Sequence, residues 1–296
     1  MKTSLTRRSA IRQIAGGAAV LAATTQLSKR VQAAEDALGA GLKGKINHSV
    51  CKWCYSGVNL EDLCVAGKDM GLHSIELLGP DEWPVVQKHG LTCAMASGAM
   101  TIPVGFNHVA NHDKLVDSFQ SMIPKVANAG LTNLICFSGN RAGIGEEAGL
   151  ENCVAGLKRI LPLAEEKKVT IVMELLNSKV DHHDYQCDHS AWGVELCKRL
   201  GSERFKLLYD IYHMQIMEGD LIRTIQTHHE FFAHYHTAGN PGRGQPDATQ
   251  EIYYPAIYRA IAQTGYTGFI SHEFYPPGDP MEALKRAFEE TKAAVA

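Results

Sequence analysis

The sequence predicts an α/β fold, a single-domain (β/α)8 barrel of the TIM type. Three observations point there. Apolar strand-like runs alternate eight times with segments of helical period. The region that carries them is close to the ~250 residues typical of such a barrel. Ligand-type side chains recur at the ends of the last four strand-like runs: Glu174, Asp210, His236 and Glu273, spaced 36, 26 and 37 positions apart. Each gap holds one loop, one helix and one return. An open sheet built around a nucleotide would want a Gly-rich turn after its first strand, and Cys54-Tyr55-Ser56-Gly57-Val58 is not one.

The elements follow in order. A strand over 47–53 precedes an amphipathic helix over 60–70. A strand over 74–78 precedes a helix over 82–88, and a strand over 92–96 leads to a longer helix over 113–129. The fourth strand, 133–137, precedes a helix over 147–167. The fifth, 169–174, runs into a polar loop and then a helix over 190–200. Strands over 205–210, 231–236 and 268–273 precede helices over 220–227, 255–264 and 280–295. Glycines mark the expected helix ends at Gly71, Gly90, Gly130, Gly201 and Gly265.

Residues 1–33 are expected to stand outside this fold as a twin-arginine signal peptide. Arg7 and Arg8 sit in Thr6-Arg7-Arg8-Ser9-Ala10-Ile11-Arg12, an Ala-rich uncharged stretch follows, and Val31-Gln32-Ala33 offers small residues for cleavage before Ala34. The apolar stretch is too short for a convincing membrane span. Residues 34–45 read as a flexible lead-in and 46–296 as the barrel. The implied location is periplasmic or secreted, with no membrane attachment after signal removal. Net charge is −3 and no Lys/Arg block occurs, which excludes a nucleic-acid-binding surface of the usual kind. Self-association into a homo-oligomer stays open. The eight cysteines are not spaced as a disulfide framework, and Cys51-Lys52-Trp53-Cys54 ends a strand rather than opening a helix, so redox or zinc use of that pair is not expected.

In such barrels the C-terminal strand ends carry function. Three carboxylates and one imidazole converging there suit one divalent ion of the Mn, Mg or Co type, with Mn²⁺ the first expectation. Glu174 and Glu273 suit an acid/base pair straddling a metal-bound substrate. Asp210 has a competing use as a helix cap. Arg243, in a turn-rich loop, suits a carboxylate or sugar oxygen. Glu251 is read as a supporting group, and Trp53, Tyr55 and Glu76 as the opposite wall of the pocket. Phe137-Ser138-Gly139-Asn140-Arg141 supplies a loop rich in donors.

These motifs carry a resemblance. Residues 47–54, 74–78, 135–141, 173–177 and 209–215, with Pro241-Gly242-Arg243 and 251–255, resemble the xylose isomerase-like barrel superfamily and, within it, the hydroxypyruvate isomerase family. The resemblance implies that Glu174 and Glu273 are both acid/base pair and metal ligands. It implies that Asp210 is a ligand and that His213 and Arg243 bind substrate. The fourth ligand departs from the cytoplasmic hydroxypyruvate isomerases, which carry glutamine there. His234-Tyr235-His236 is similar to the ketose 3-epimerases of the superfamily. The implied activity is a metal-dependent isomerase interconverting small hydroxy-carbonyl compounds of the hydroxypyruvate/tartronate semialdehyde type by enediolate proton transfer. The alternative is an epimerase or lyase acting on a 3-keto sugar or glycoside.

Overall fold

The structure is a computed structural model that describes residues 45–295, so the expected signal peptide and nearly all of the lead-in lie outside the described residues. Seven strands form one parallel sheet: β1 Asn47–Cys51, β2 Ser74–Glu76, β3 Asn133–Cys136, β4 Thr170–Leu175, β5 Phe205–Asp210, β6 Phe232–Thr237 and β7 Phe269–His272. Their order is β2-β1-β7-β6-β5-β4-β3. The expected third strand, 92–96, is not continuous. It touches both sheet edges through single bridges, Ser74 with Thr92 and Leu78 with Ala96 on one side and Ala96 with Leu134 on the other, and so closes the ring. At Ala94 side chains take over from the backbone ladder. The Ala94 N–H donates to Ser74 Oγ at 2.8 Å, and Asn133 Nδ2 donates to the Ala94 carbonyl at 2.9 Å.

The helices follow from capping and proline chemistry. Helix α1, Leu60–Met70, starts where the Asn59 side chain accepts from the Asp62 N–H and stops at Gly71, whose φ of 99° is open to glycine. Helices α2 Trp83–Lys88 and α3 His112–Asn128 follow. The helix expected over 147–167 is two helices, α4 Glu146–Leu157 and α5 Leu161–Lys167. Pro162 lies in the first turn of α5, where its missing N–H costs nothing but cannot continue α4. Helix α6 is Ser190–Leu200.

An unexpected helix, α7 Ile211–Met217, starts directly off β5, and Asp210 caps it by accepting from the His213 N–H at 3.2 Å. Helices α8 Leu221–His228, α9 Tyr254–Gln263 and α10 Pro280–Ala294 complete the ring. Cys51 ends β1, while Cys54 falls in the 3-10 turn Lys52–Tyr55 beyond it. All eight cysteines are free and buried.

Two features set the height of the site. A register shift between Leu207 and Leu208 aligns Leu208 with His234 and Asp210 with His236. Without it the β6 side chains from His234 onward would face the other way. The strands are buried on both faces, as Ile171, Val172 and Met173 show at 0 % exposure, so a polar group on them is expensive unless partnered. No helix among the described residues is long and apolar enough to cross a membrane.

Candidate metal and active site

Glu174, Asp210, His236 and Glu273 meet at the C-terminal rim, each offering a ligand atom within 4.8 Å of the others. All four are buried. Glu273 lies one residue past β7, held by its N–H to the Thr237 carbonyl at 3.0 Å. Its two oxygens have separate partners. Oε1 accepts from Trp53 Nε1 at 2.7 Å, and Oε2 lies 2.7 Å from His236 Nδ1 and 2.5 Å from Arg243 Nη2. Arg243 also reaches Asp210 Oδ2 at 3.3 Å. Its backbone sits at a φ of 53°, and its guanidinium lies between the rings of Trp53 and Tyr212, 5.2 and 5.4 Å away. Tyr212 is itself anchored by Ala238, Phe274, Ala283 and Ala287.

The electrostatics are those of too much negative charge in one buried place. Burial pushes the Asp210 carboxyl up to about 8, Arg243 opposing and Glu273 adding to the rise. Burial raises Glu174 too. Burial works against Glu273 as an anion, but the charges of His236 and Arg243 prevail and hold its carboxyl well below the usual range. Glu174 Oε1 lies 3.3 Å from His236 Nδ1 and is a buried acceptor with no hydrogen-bond partner among the described residues. An orphaned carboxylate oxygen beside two more carboxylates and an imidazole is the donor set of a divalent cation. The residues present fit such an ion.

A cavity of about 520 Å³ opens over this cluster. Glu174, Glu273, Arg243, Asp181 and His182 supply its polar side, and Leu77, Met100, Ile102, Phe137, Leu176 and Tyr275 much of its apolar wall. Trp53 lines it as expected. Asp210, His236 and His213 lie behind that surface. His213 is fully buried, its Nδ1 2.6 Å from Asn177 Nδ2 and its Nε2 3.5 Å from Asp210 Oδ2. Burial, aided by Arg243, pushes its pKa well down. Its Nε2 has no hydrogen-bond partner among the described residues, and Asp210 accepts instead from the backbone N–H of His213.

Four expectations about the pocket are corrected by position, the first being the substrate contact expected of His213, which is fully buried and outside the cavity lining. Glu76 is not in the wall. It is fully buried below the rim, its Oε1 2.8 Å from His234 Nε2 and 2.9 Å from His236 Nε2. Glu251 is exposed and outside the cavity, taking Gln215 Nε2 at 3.2 Å and the Asn240 amide, which steadies the loop that carries Arg243. Tyr55 is buried against Phe274. In the loop after β3, Phe137 lines the cavity, while Arg141 instead ties down the loop 178–188 through Asp188 at 3.0 Å. That loop delivers Asp181 and His182. Its start is fixed by Asn177 Oδ1, which accepts from the N–H groups of Val180 and Asp181. Asn177 was overlooked, although its place just after a strand was the available signal.

The comparisons agree with the architecture. A profile described as xylose isomerase-like TIM barrel matches residues 84–293. The chain belongs to this family. Among curated relatives, a human protein named for hydroxypyruvate isomerase is 31% identical over 122 residues, 41% of this chain and 44% of its own length. A 2-oxo-tetronate isomerase of Cupriavidus necator is 32% identical over 38% of this chain and 43% of the relative. In both matches the chain spans less than half of the relative's length. The hydroxypyruvate isomerase of Escherichia coli K12 is 25% identical, over 69% of this chain and 73% of its own. Among solved structures, an AP endonuclease, family 2, from Brucella melitensis superposes with a TM-score of 0.72 at 21% identity, covering 81% of this chain and 97% of that one. D-Psicose 3-epimerase from Clostridium cellulolyticum H10 does so at 0.68 and 16%, covering 84% and 97%.

Proposed function

We propose that the protein is a divalent-metal-dependent isomerase or epimerase of hydroxy-carbonyl compounds. The observation that carries the reading is the pairing of Glu174 and Glu273: both line one cavity, both approach Nδ1 of His236, and both belong to a four-residue metal-type cluster. The relatives' names, hydroxypyruvate isomerase and 2-oxo-tetronate isomerase, support the same class.

Glu174, Asp210, His236 and Glu273 would hold the ion, Mn²⁺ in the first instance and Mg²⁺ or Co²⁺ as alternatives. When bound, it supplies Lewis acidity to the substrate's carbonyl and adjacent hydroxyl and stabilises the charge of the enediolate. One glutamate takes the proton from the carbon between those oxygens, and the other returns a proton. Trp53 holds Oε1 of Glu273 in place, while Oε2 faces His236 and Arg243. Arg243 orients the substrate's oxygens and offsets carboxylate charge. Leu176, Phe137 and their neighbours keep water off the exposed carbanion face.

A cavity of about 520 Å³ with an apolar wall favours a second reading within the same chemistry. A three-carbon substrate fills little of that space, whereas a sugar or 3-keto glycoside fills much more of it. Epimerisation or elimination on such a compound starts from the same enolate. Export through the twin-arginine route, on Arg7 and Arg8, belongs to this proposal and gives the enzyme an extracytoplasmic pool of substrate.

The test is solvent exchange. Hydroxypyruvate, 2-oxo-tetronate, ketohexoses and 3-keto glucosides are incubated in D₂O with Mn²⁺-loaded protein and followed by NMR and mass spectrometry. Deuterium entering the carbon beside the carbonyl, lost with chelator, is the expected result. Isomerisation then conserves mass and elimination does not. Tight binding of a compound with no exchange in any would defeat the enzyme reading.

A further inference from the structure

Glu76 lies 160 positions from His236 in the chain, yet the two side chains meet at the floor of the rim. Glu76 Oε1 is 2.9 Å from Nε2 of His236 and 2.8 Å from Nε2 of His234, and all three residues are at 0 % exposure. A carboxylate oxygen is an acceptor, so both rings turn an Nε2–H toward it. The other nitrogen of His236, Nδ1, faces Glu273 Oε2 at 2.7 Å and Glu174 Oε1 at 3.3 Å.

We propose that Glu76 is the positioning residue of the metal centre, fixing His236 as the Nε2–H tautomer so that its Nδ1 lone pair is aimed at the cation. The inference rests on the metal-dependent reading above. Ligating histidines as a rule donate their second N–H to such a partner, and losing that partner weakens metal binding 10–100-fold. His234 is the brace. It sits two residues earlier on the same face of β6 and grips the same carboxylate oxygen, its ring 5.2 Å from that of His236.

A rival use of these atoms is a second cation. Cys51 Sγ lies 3.8 Å from His236 Nε2 and 3.9 Å from Glu76 Oε1, and the three form a metal-type group of their own. Both groups need His236. An imidazole that ligates through both nitrogens has lost both protons, whereas Glu76 already takes a proton-bearing Nε2. The structure therefore assigns one cation to the rim and a purely hydrogen-bonding role to the group beneath it.

The experiment uses Zn²⁺ and Co²⁺ as probes, on the wild type and on Glu76→Gln and Glu76→Met. Long-range ¹H–¹⁵N NMR of the Zn²⁺-loaded wild type should give a His236 ring protonated at Nε2 and ligating through Nδ1. Co²⁺ titration followed by its visible absorption should end at one equivalent. Chelator competition should give Zn²⁺ binding 10–100-fold weaker in Glu76→Met and a smaller loss in Glu76→Gln, whose amide oxygen still accepts the N–H. A His236 ligating through Nε2 overturns the proposal. So does a second equivalent that disappears in Cys51→Ala, or wild-type affinity in both Glu76 variants. Wild type that binds neither probe overturns the metal reading together with this inference. Normal binding that ignores Glu76 overturns this inference alone.

Discussion

Arg243→Met removes a cationic side chain that touches both Asp210 and Glu273 in the cluster. Its Nη2 is 2.5 Å from Glu273 Oε2, a distance worth about 7 kcal/mol between unit charges at an effective dielectric of ~20, and 3.3 Å from Asp210 Oδ2, whose raised pKa of about 8 leaves it largely uncharged near neutral pH. Most of that is cancelled by the desolvation of the guanidinium and the carboxylates. What remains when one partner of a buried pair is deleted is about 3–5 kcal/mol, which shifts Tm by roughly 6–20 °C in a domain of this size. The assay is thermal unfolding of metal-free protein in chelator, at pH 7.5 and pH 3.

The sign with pH is fixed by Glu273. In the wild type its folded pKa is depressed, burial being outweighed by the charges of His236 and Arg243. Its contribution is therefore fully present above the unfolded carboxylate value and is lost only as pH falls below that value toward the depressed folded one. The difference between wild type and variant should be wide at pH 7.5 and distinctly narrower at pH 3. Adding Mn²⁺ at pH 7.5 should raise the variant's Tm, because the ion supplies the missing positive charge. Equal Tm values for wild type and variant at pH 7.5, or a difference that stays the same at both pH values, would refute the electrostatic account of Arg243.

Four further outcomes are expected. Asp210→Ala should abolish tight Mn²⁺ binding in a competition titration and should also cost about 1 kcal/mol of helix cap; unchanged affinity removes Asp210 from the ligand set. Because burial pushes Asp210 up to about 8, an incoming ion displaces its proton, so metal affinity should climb about tenfold per pH unit up to that point and then level off; a flat profile between pH 6 and 8 speaks against it. Glu174→Gln and Glu273→Gln should each lower turnover by about 10²–10⁴, with one of them still exchanging substrate hydrogen with solvent; near wild-type turnover in both would take the pair out of the mechanism. Arg7→Lys with Arg8→Lys should trap precursor in the cytoplasm on cell fractionation, and normal export of that variant ends the twin-arginine proposal.

The second half of the barrel was the most legible in sequence. Strands β4 to β7 end within one residue of their expected positions, because each is a short apolar run closed by a charged or imidazole side chain. The same local signal brought Glu174, Asp210, His236 and Glu273 together in advance. What was hidden depends on partners far away in the chain. The 92–96 segment reads as a strand, but Ser74 and Asn133 take its hydrogen bonds at Ala94. Glu76 looks like another rim residue. Yet β2 is only three residues long, and Leu77 turns the chain at a φ of 59°, which leaves Glu76 below the rim where β6 delivers two histidines. The shift between β5 and β6 that puts His236 opposite Asp210 is likewise a property of the pairing, not of either strand.

Asp210 answers to two masters through its two oxygens. Oδ1 closes the first turn of α7 by accepting from the His213 N–H, while Oδ2 faces Arg243 and the metal-type cluster. Asparagine could keep the turn but would bring a neutral amide to the rim. Glutamate could keep the charge, but its longer arm would miss the turn. Asparagine thus disturbs the reacting centre alone and glutamate the helix start alone, so aspartate is the side chain whose length and charge serve both at once.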